Sequence, residues 1–256
     1  MNNPVMRLQN FFGEWGLSLR NSMALVVHTF ASLLDVRRWP VRRALLKQLY
    51  FTGIQSVQSI TVMAVLTGLI MVMQVSNLVG RNELLTLQVL IWSVVRELGP
   101  LLTAIVIVGR SSSAIASELA AMQVNGEIKS LQRMGISPIS YLVVPRMLAL
   151  TVASMALTFY FNVIAIATGM IVTAWNIDVS LAGEVDHFFE MVSHIEIIAA
   201  LLKSICFGVM MSLVPCYYGL SVKGAMTQIP IAASRSVMGG IMTIFACDGL
   251  LTVLIF

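Results

Sequence analysis

Charge is what this chain has least of. Only 11% of its 256 residues are Asp, Glu, Lys or Arg, against about 25% in an ordinary soluble domain. Mean hydropathy is +0.88, and long apolar stretches replace the short alternations of a soluble core. A soluble globular domain is excluded, and the chain reads as an all-α protein crossing a membrane several times. Histidine is nearly absent: with only His28, His187 and His194, no Ser–His–Asp arrangement can be built. No GxxxxGK[ST] sequence occurs, so any nucleotide site must belong to a partner. Cys206, Cys216 and Cys247 lie in or beside apolar stretches without metal-like spacing. They read as packing residues and say nothing of redox compartment. The N-terminus lacks a short apolar region ending in a small-residue cleavage site, so no cleavable signal is expected.

The net charge of +4 is no nucleic-acid signal, because the basic residues gather near the ends of apolar spans. Residues 1–50 read as an interfacial region. Leu8, Phe11, Phe12, Trp15, Leu19, Met23, Val26, Phe30 and Leu33 form one stripe at steps of three and four, the period of an amphipathic helix. Arg37, Arg38, Arg42, Arg43 and Lys47 follow, split by Pro40, and would anchor such a helix in the headgroup layer. Residues 51–256 form the membrane domain, with spans expected at 54–75, 87–108, 142–174, 195–218 and 236–256. The segments 109–141 and 219–235 carry Lys and Arg, whereas 176–194 carries neither. That asymmetry places the N-terminus in the cytoplasm and the C-terminus on the far side. His187, Glu190 and His194 in the outer segment read as a solvated acidic face or partner contact rather than a metal site.

Four charges break the apolar spans. Arg96 and Glu97 precede Gly99 and Pro100 in span two, Lys203 lies in span four and Asp248 in span five. At about 1.5 Å per residue, all lie roughly 12–14 Å below the outer surface. An intramembrane charge costs roughly 2.5–3.5 kcal/mol on insertion scales, so it marks a site or a pathway. Lys203 and Asp248 fall on antiparallel neighbours and are expected to pair as a structural clamp. Arg96 and Glu97 point about 100° apart and cannot fully neutralise one another. Pro100 removes the amide that would bond the Arg96 carbonyl. The expectation is a polar notch suited to an amphiphile, with apolar chains against Met71 and Met73 and a polar head near Arg96.

Between spans two and three, a small-residue segment, Gly109 to Glu118, leads into a stretch of mixed charge. Glu118 to Met134 is expected to form a surface helix, closed by Gly135 and Pro138, with Leu119, Met122, Ile128 and Leu131 on its apolar face and an interruption at Gly126. Such a helix, about 117–134, offers a ridge to a partner's groove. Rival readings remain open on these observations: an ATP-independent solute or ion channel, or a non-transporting membrane scaffold.

Taken in order, several segments resemble the MlaE/YrbE family, permease subunits of ABC transporters that work with MCE lipid-shuttle proteins. The anchors are Gly68 with Gln74, then Arg96-Glu97-Leu98-Gly99-Pro100, then Gly109-Arg110 with Ala114 and Glu118, then Met134-Gly135 with Pro138. Further on come Tyr141 to Arg146, Lys203-Ser204 with Phe207-Gly208, Cys216-Tyr217-Tyr218-Gly219, and Asp248. The resemblance runs from about Lys47 to Leu254. It implies a permease dimer, with identical or different subunits, in a bacterial inner membrane. It also implies a P-loop ATPase on the cytoplasmic coupling helix, an MCE protein on the periplasmic face and phospholipid as cargo. The chain itself would bind no cofactor, with ATP and Mg held by the ATPase. Carried over by position, Arg96 and Glu97 would lie near the lipid cavity, Lys203 and Asp248 in a supporting charge cluster and Glu118 at the coupling helix; Met71 and Gln74 are expected beside Arg96 and Glu97 in the lipid site. Arg110, Glu118, Met122, Glu127, Leu131 and Arg133 would couple to the ATPase. Departures are Ser112 in place of a usual Gly, Gly126 and Lys129 in place of acidic residues, and Pro230 and Ala233 in place of Gly and Thr.

Overall fold

The computed structural model describes residues 39–79, 83–177, 194–222 and 224–255, with the isolated positions 183 and 191. The amphipathic stripe within residues 1–38, and His187 and Glu190, lie outside the described residues. Nine α-helices make up the described chain. They are α1 (Trp39–Thr52), α2 (Val57–Val79), α3 (Glu83–Ile91), α4 (Gly99–Ile107), α5 (Ser113–Val124), α6 (Glu127–Arg133), α7 (Val144–Ile177), α8 (His194–Leu220) and α9 (Ile229–Ile255). Wider π-helical turns join α3 to α4 over Trp92–Leu98 and α4 to α5 over Val108–Ser112.

Five helical stretches are long and apolar enough to cross a membrane: Leu45–Leu78, Leu85–Val124, Ile139–Trp175, Ile195–Leu220 and Met226–Ile255. The all-α, five-span architecture read from the sequence is the one observed. α7 packs along α1, α2 and α8, and α8 packs in turn on α5 and α9. Backbone proximity rather than side-chain bulk sets these contacts. A Cβ on Gly68 would lie 2.3 Å from the Ala165 carbonyl oxygen, and one on Gly208 would lie 2.5 Å from Thr151 Cα. At the second crossing Ser154 Oγ donates to the Ser204 carbonyl at 2.7 Å. In lipid, where apolar burial gives helices little reason to associate, such small-residue contacts and interhelical hydrogen bonds hold the bundle.

Span two is the largest departure from expectation. It was expected to end near 108, but it runs to Val124 over 40 residues. The small polar residues after Gly109 form a packed helix. Ser112, Ile115, Ala116, Leu119 and Ala120 are all buried. Ser236 Oγ on α9 donates to the Ser112 carbonyl at 3.1 Å. A Cβ on Gly219 would lie 2.8 Å from the Ala116 carbonyl oxygen. Small side chains that read as a loop in water are a helix interface here.

The surface segment expected over 118–134 is divided at the interruption expected at Gly126. The chain breaks at Asn125 and Gly126, where Gly126 takes φ 76°, a left-handed conformation favourable to glycine. α6 then runs for only 7 residues. Its end is as expected: Gly135 N–H donates to the Gln132 carbonyl and Ile136 N–H to the Leu131 carbonyl, both at 3.0 Å, the paired bonds of a Schellman cap. Span five begins earlier than read, at Met226 rather than 236, because Pro230 falls in the first turn of α9, where a missing amide costs nothing.

Two glycine substitutions should therefore separate. Gly208→Ala meets backbone at 2.5 Å, whereas a Cβ on Gly249 meets nothing within 4 Å. Overpacking of this kind costs about 1–3 kcal/mol. Thermal unfolding in detergent should show a clear loss for Gly208→Ala and little change for Gly249→Ala; equal melting temperatures would contradict the packing described.

Candidate functional site

The polar centre of the molecule begins with a proline. Pro100 sits in the first turn of α4, and its missing amide leaves the Arg96 carbonyl without its α-helical donor. The helix answers by widening. Gly99 N–H reaches back to the Val94 carbonyl, the five-residue step of a π-bulge, a feature frequent at functional sites. A Cβ on Gly99 would lie 1.9 Å from Asn162 Oδ1 on α7 and 2.9 Å from the Val94 carbonyl oxygen, so a larger residue would force Asn162 to move. That Asn162 oxygen is buried and accepts no hydrogen bond among the described residues.

The widened turn carries Arg96 and Glu97 toward α8 and α9. Lys203 Nζ donates to Glu97 Oε2 at 2.5 Å and to Thr252 Oγ1 at 2.8 Å. It also lies 2.9 Å from Asp248 Oδ1. That last contact is an ion pair without hydrogen-bond alignment, because Asp248 Oδ1 has no hydrogen-bond partner of its own. Arg96 Nε stands 3.4 Å from Glu97 Oε1, and Thr252 Oγ1 lies 3.3 Å and 3.2 Å from the two Glu97 oxygens. Among the described residues, two cations and two carboxylates thus form one electrically neutral network across spans two, four and five.

Accessibility divides this network into a floor and a rim. The Lys203 side chain is 0% exposed, that of Asp248 14%, that of Arg96 27% and that of Glu97 33%. Lys203 is the buried centre, and the Arg96–Glu97 pair is its accessible edge. Two separate pairs were expected, a clamp and a notch. Glu97 instead belongs to both, as the bond from Lys203 shows. Met71 packs half-buried against the main core and Gln74 is exposed on α2; neither is hydrogen-bonded into the network. Thr252 was missed by sequence reading, although it falls one helical turn beyond Asp248 on the same face of α9.

At the end of the bundle carrying α1 and α6 lies a second polar region. Arg110 donates through both terminal nitrogens to Gln55, to its carbonyl and, at 2.5 Å, to its side-chain oxygen. Ser111 Oγ approaches Thr52 Oγ1 at 3.4 Å. Arg146 Nη2 bonds Glu118 Oε2 at 2.7 Å. Of the residues expected to contact an ATPase, Arg110 and Glu118 therefore engage this bundle rather than the surface of α6. Met122 and Leu131 pack half-buried against the core. Glu127 and Arg133 are exposed at either end of α6.

Removing Lys203 would leave two carboxylates around an apolar void, and breaking a buried pair from one side costs about 3–5 kcal/mol. Lys203→Ala should fail to accumulate or melt far below the parent. Asp248→Asn, which keeps an acceptor beside Nζ and leaves Glu97 as counter-charge, should be milder. Measured melting of the two variants in the reverse order would contradict Lys203 as the centre.

Comparison with known proteins agrees with this architecture. The family model of the permease MlaE matches residues 45–254. A probable ABC transporter permease protein of Rickettsia conorii is 29% identical over 259 residues, covering 98% of this chain and 99% of that protein. A probable ABC transporter permease protein of Synechocystis is 30% identical over 221 residues, covering 84% of this chain and 82% of its own length. Protein TRIGALACTOSYLDIACYLGLYCEROL 1, chloroplastic, of Arabidopsis thaliana is 30% identical over 161 residues, 63% of this chain and 46% of that protein. With five apolar spans and a match over most of its length, the chain belongs to the MlaE family of ABC transporter permeases.

Proposed function

We propose that this permease moves phospholipid or a related lipid between a bacterial inner membrane and a periplasmic MCE-type shuttle protein, driven by a separate cytoplasmic ATPase. The observation that carries the reading is the Arg96–Glu97 edge, a partly open charged rim on a wall that is otherwise apolar. A channel filter would call for a continuous polar path. Here the charges neutralise each other around Lys203, and their surroundings suit an amphiphile. The lipid in the Arabidopsis relative's name is in keeping with such a cargo.

The remaining roles follow from position. On the proposed orientation, with the N-terminus cytoplasmic, α6 lies at the cytoplasmic end. Its exposed Glu127, Lys129 and Arg133 would meet the ATPase, which would hold ATP and Mg. Movement there would pass through α5, continuous with span two, to the widened turn at Arg96 and Glu97. Span five is the least covered of the five, with 17% of its apolar window buried. That open face supports a second permease subunit, read as an identical copy, with the lipid cavity between the two.

Glu97→Ala keeps the Lys203–Asp248 pair and removes the rim carboxylate. In a reconstituted complex it should assemble normally, retain ATP hydrolysis and lower lipid transfer between vesicles and shuttle protein by about tenfold or more, the usual scale of a lost charge-assisted hydrogen bond of roughly 1.5–3 kcal/mol. Unchanged transfer with parental lipid occupancy would remove Glu97 from the pathway. Glu127→Lys combined with Arg133→Glu should instead reduce ATPase co-purification and leave lipid occupancy intact; retained ATPase would exclude α6 as the docking ridge.

A further inference from the structure

The cleft at the α1 end has a composition that the charge network at mid-depth does not explain. It encloses about 540 Å³ between α1, the Val108–Ser112 turn, α5 and the start of span three. Lys47, Arg110 and Arg146 line it against the single carboxylate of Glu118, an excess of two positive charges. Arg146 is only 7% exposed, and its Nη1 has no hydrogen-bond partner among the described residues. Lys47 is exposed and has no ion pair among the described residues. Lys47 is thus open to an anion, and Arg110 and Arg146 add their charge to the cleft wall.

The walls point to the kind of anion. Phe51 and Tyr141, both in the lining, are 47% and 37% exposed, and Ile115, Leu142 and Pro145 complete an apolar side. Aromatic residues at span ends favour the headgroup level of a bilayer, and basic pockets between spans hold anionic headgroups. A free phosphate would use the charges and leave the apolar walls wet. A lipid uses both.

We infer that this cleft binds the phosphate headgroup of an anionic phospholipid of the inner leaflet. The site is distinct from the rim at Arg96, which lies about 20 Å away along span two at roughly 1.5 Å per residue. The inference uses the orientation proposed above but does not depend on lipid being the transported cargo.

Native mass spectrometry of the purified full chain in detergent tests it, with phosphatidylglycerol and phosphatidylcholine as separate probes and glycerol 3-phosphate as the water-soluble one. The parent should bind phosphatidylglycerol in preference to phosphatidylcholine. Each cation removed should weaken that binding roughly fivefold, first in Lys47→Gln and further in Lys47→Gln with Arg110→Gln. Lys47→Gln alone keeps the test valid, since Lys47 holds no structural contact that folding would miss. Equal binding of both lipids, or no loss in either variant, would overturn the site. Glycerol 3-phosphate binding as tightly as phosphatidylglycerol would replace the lipid with a soluble phosphate ester. Unchanged lipid binding with loss of the co-purifying ATPase would assign the cleft to an acidic surface of that partner. Glu97→Ala leaves this cleft intact, so its failure in transfer assays and failure of the cleft can be told apart.

Discussion

A fully buried ammonium group governs this structure. An isolated lysine at mid-membrane would be costly, and Lys203 is tolerable because Glu97, Asp248 and Thr252 surround it. Those partners come from spans two and five, so satisfying one charge fixes the mutual position of three helices. The π-bulge, Gly99 and Pro100 belong to the same constraint. Without the wider turn Glu97 would not be carried to Nζ, and without a glycine the turn would collide with Asn162. Among the described residues the network is neutral, which suits a low-dielectric setting. Its exposure is uneven, and that leaves one edge able to meet a ligand.

Most of the fold was legible because bilayer thickness and hydropathy fix span number with few alternatives. The charged residues were legible for the same reason: each stands out against an apolar background, and counting along the helices put all four at one level. The antiparallel order of spans four and five was enough to pair Lys203 with Asp248. Glu97 as a shared partner was not legible, because it requires a π-turn, and the period of such a turn leaves no trace in composition. Thr252 was missed since threonines are common in spans, and only its neighbours distinguish it. Arg146–Glu118 joins residues from different spans, a pairing that periodicity cannot supply.

The segment Gly109–Glu118 carries a physical lesson. Glycine, serine and alanine in succession signal a loop when water is the competitor for backbone hydrogen bonds. Within this bundle they are what allows α5, α8 and α9 to approach, as Ser236 on Ser112 and Gly219 against Ala116 show. Span two therefore continues as one rod from the charge network to α6, interrupted only by its two π-turns. A rigid element joining the site of proposed ATPase contact to the proposed lipid rim is a mechanical requirement of a driven permease, and here it is a single stretch of chain.

The role proposed for this chain is the membrane part of a driven lipid transporter. Affinity purification of the tagged protein from its native membranes in mild detergent, with mass spectrometry of the proteins and lipids that accompany it, tests that most directly. The account predicts a P-loop ATPase, an MCE protein and bound phospholipid in the same complex. Recovery of the chain alone and free of lipid, under conditions that keep other membrane complexes whole, would contradict it.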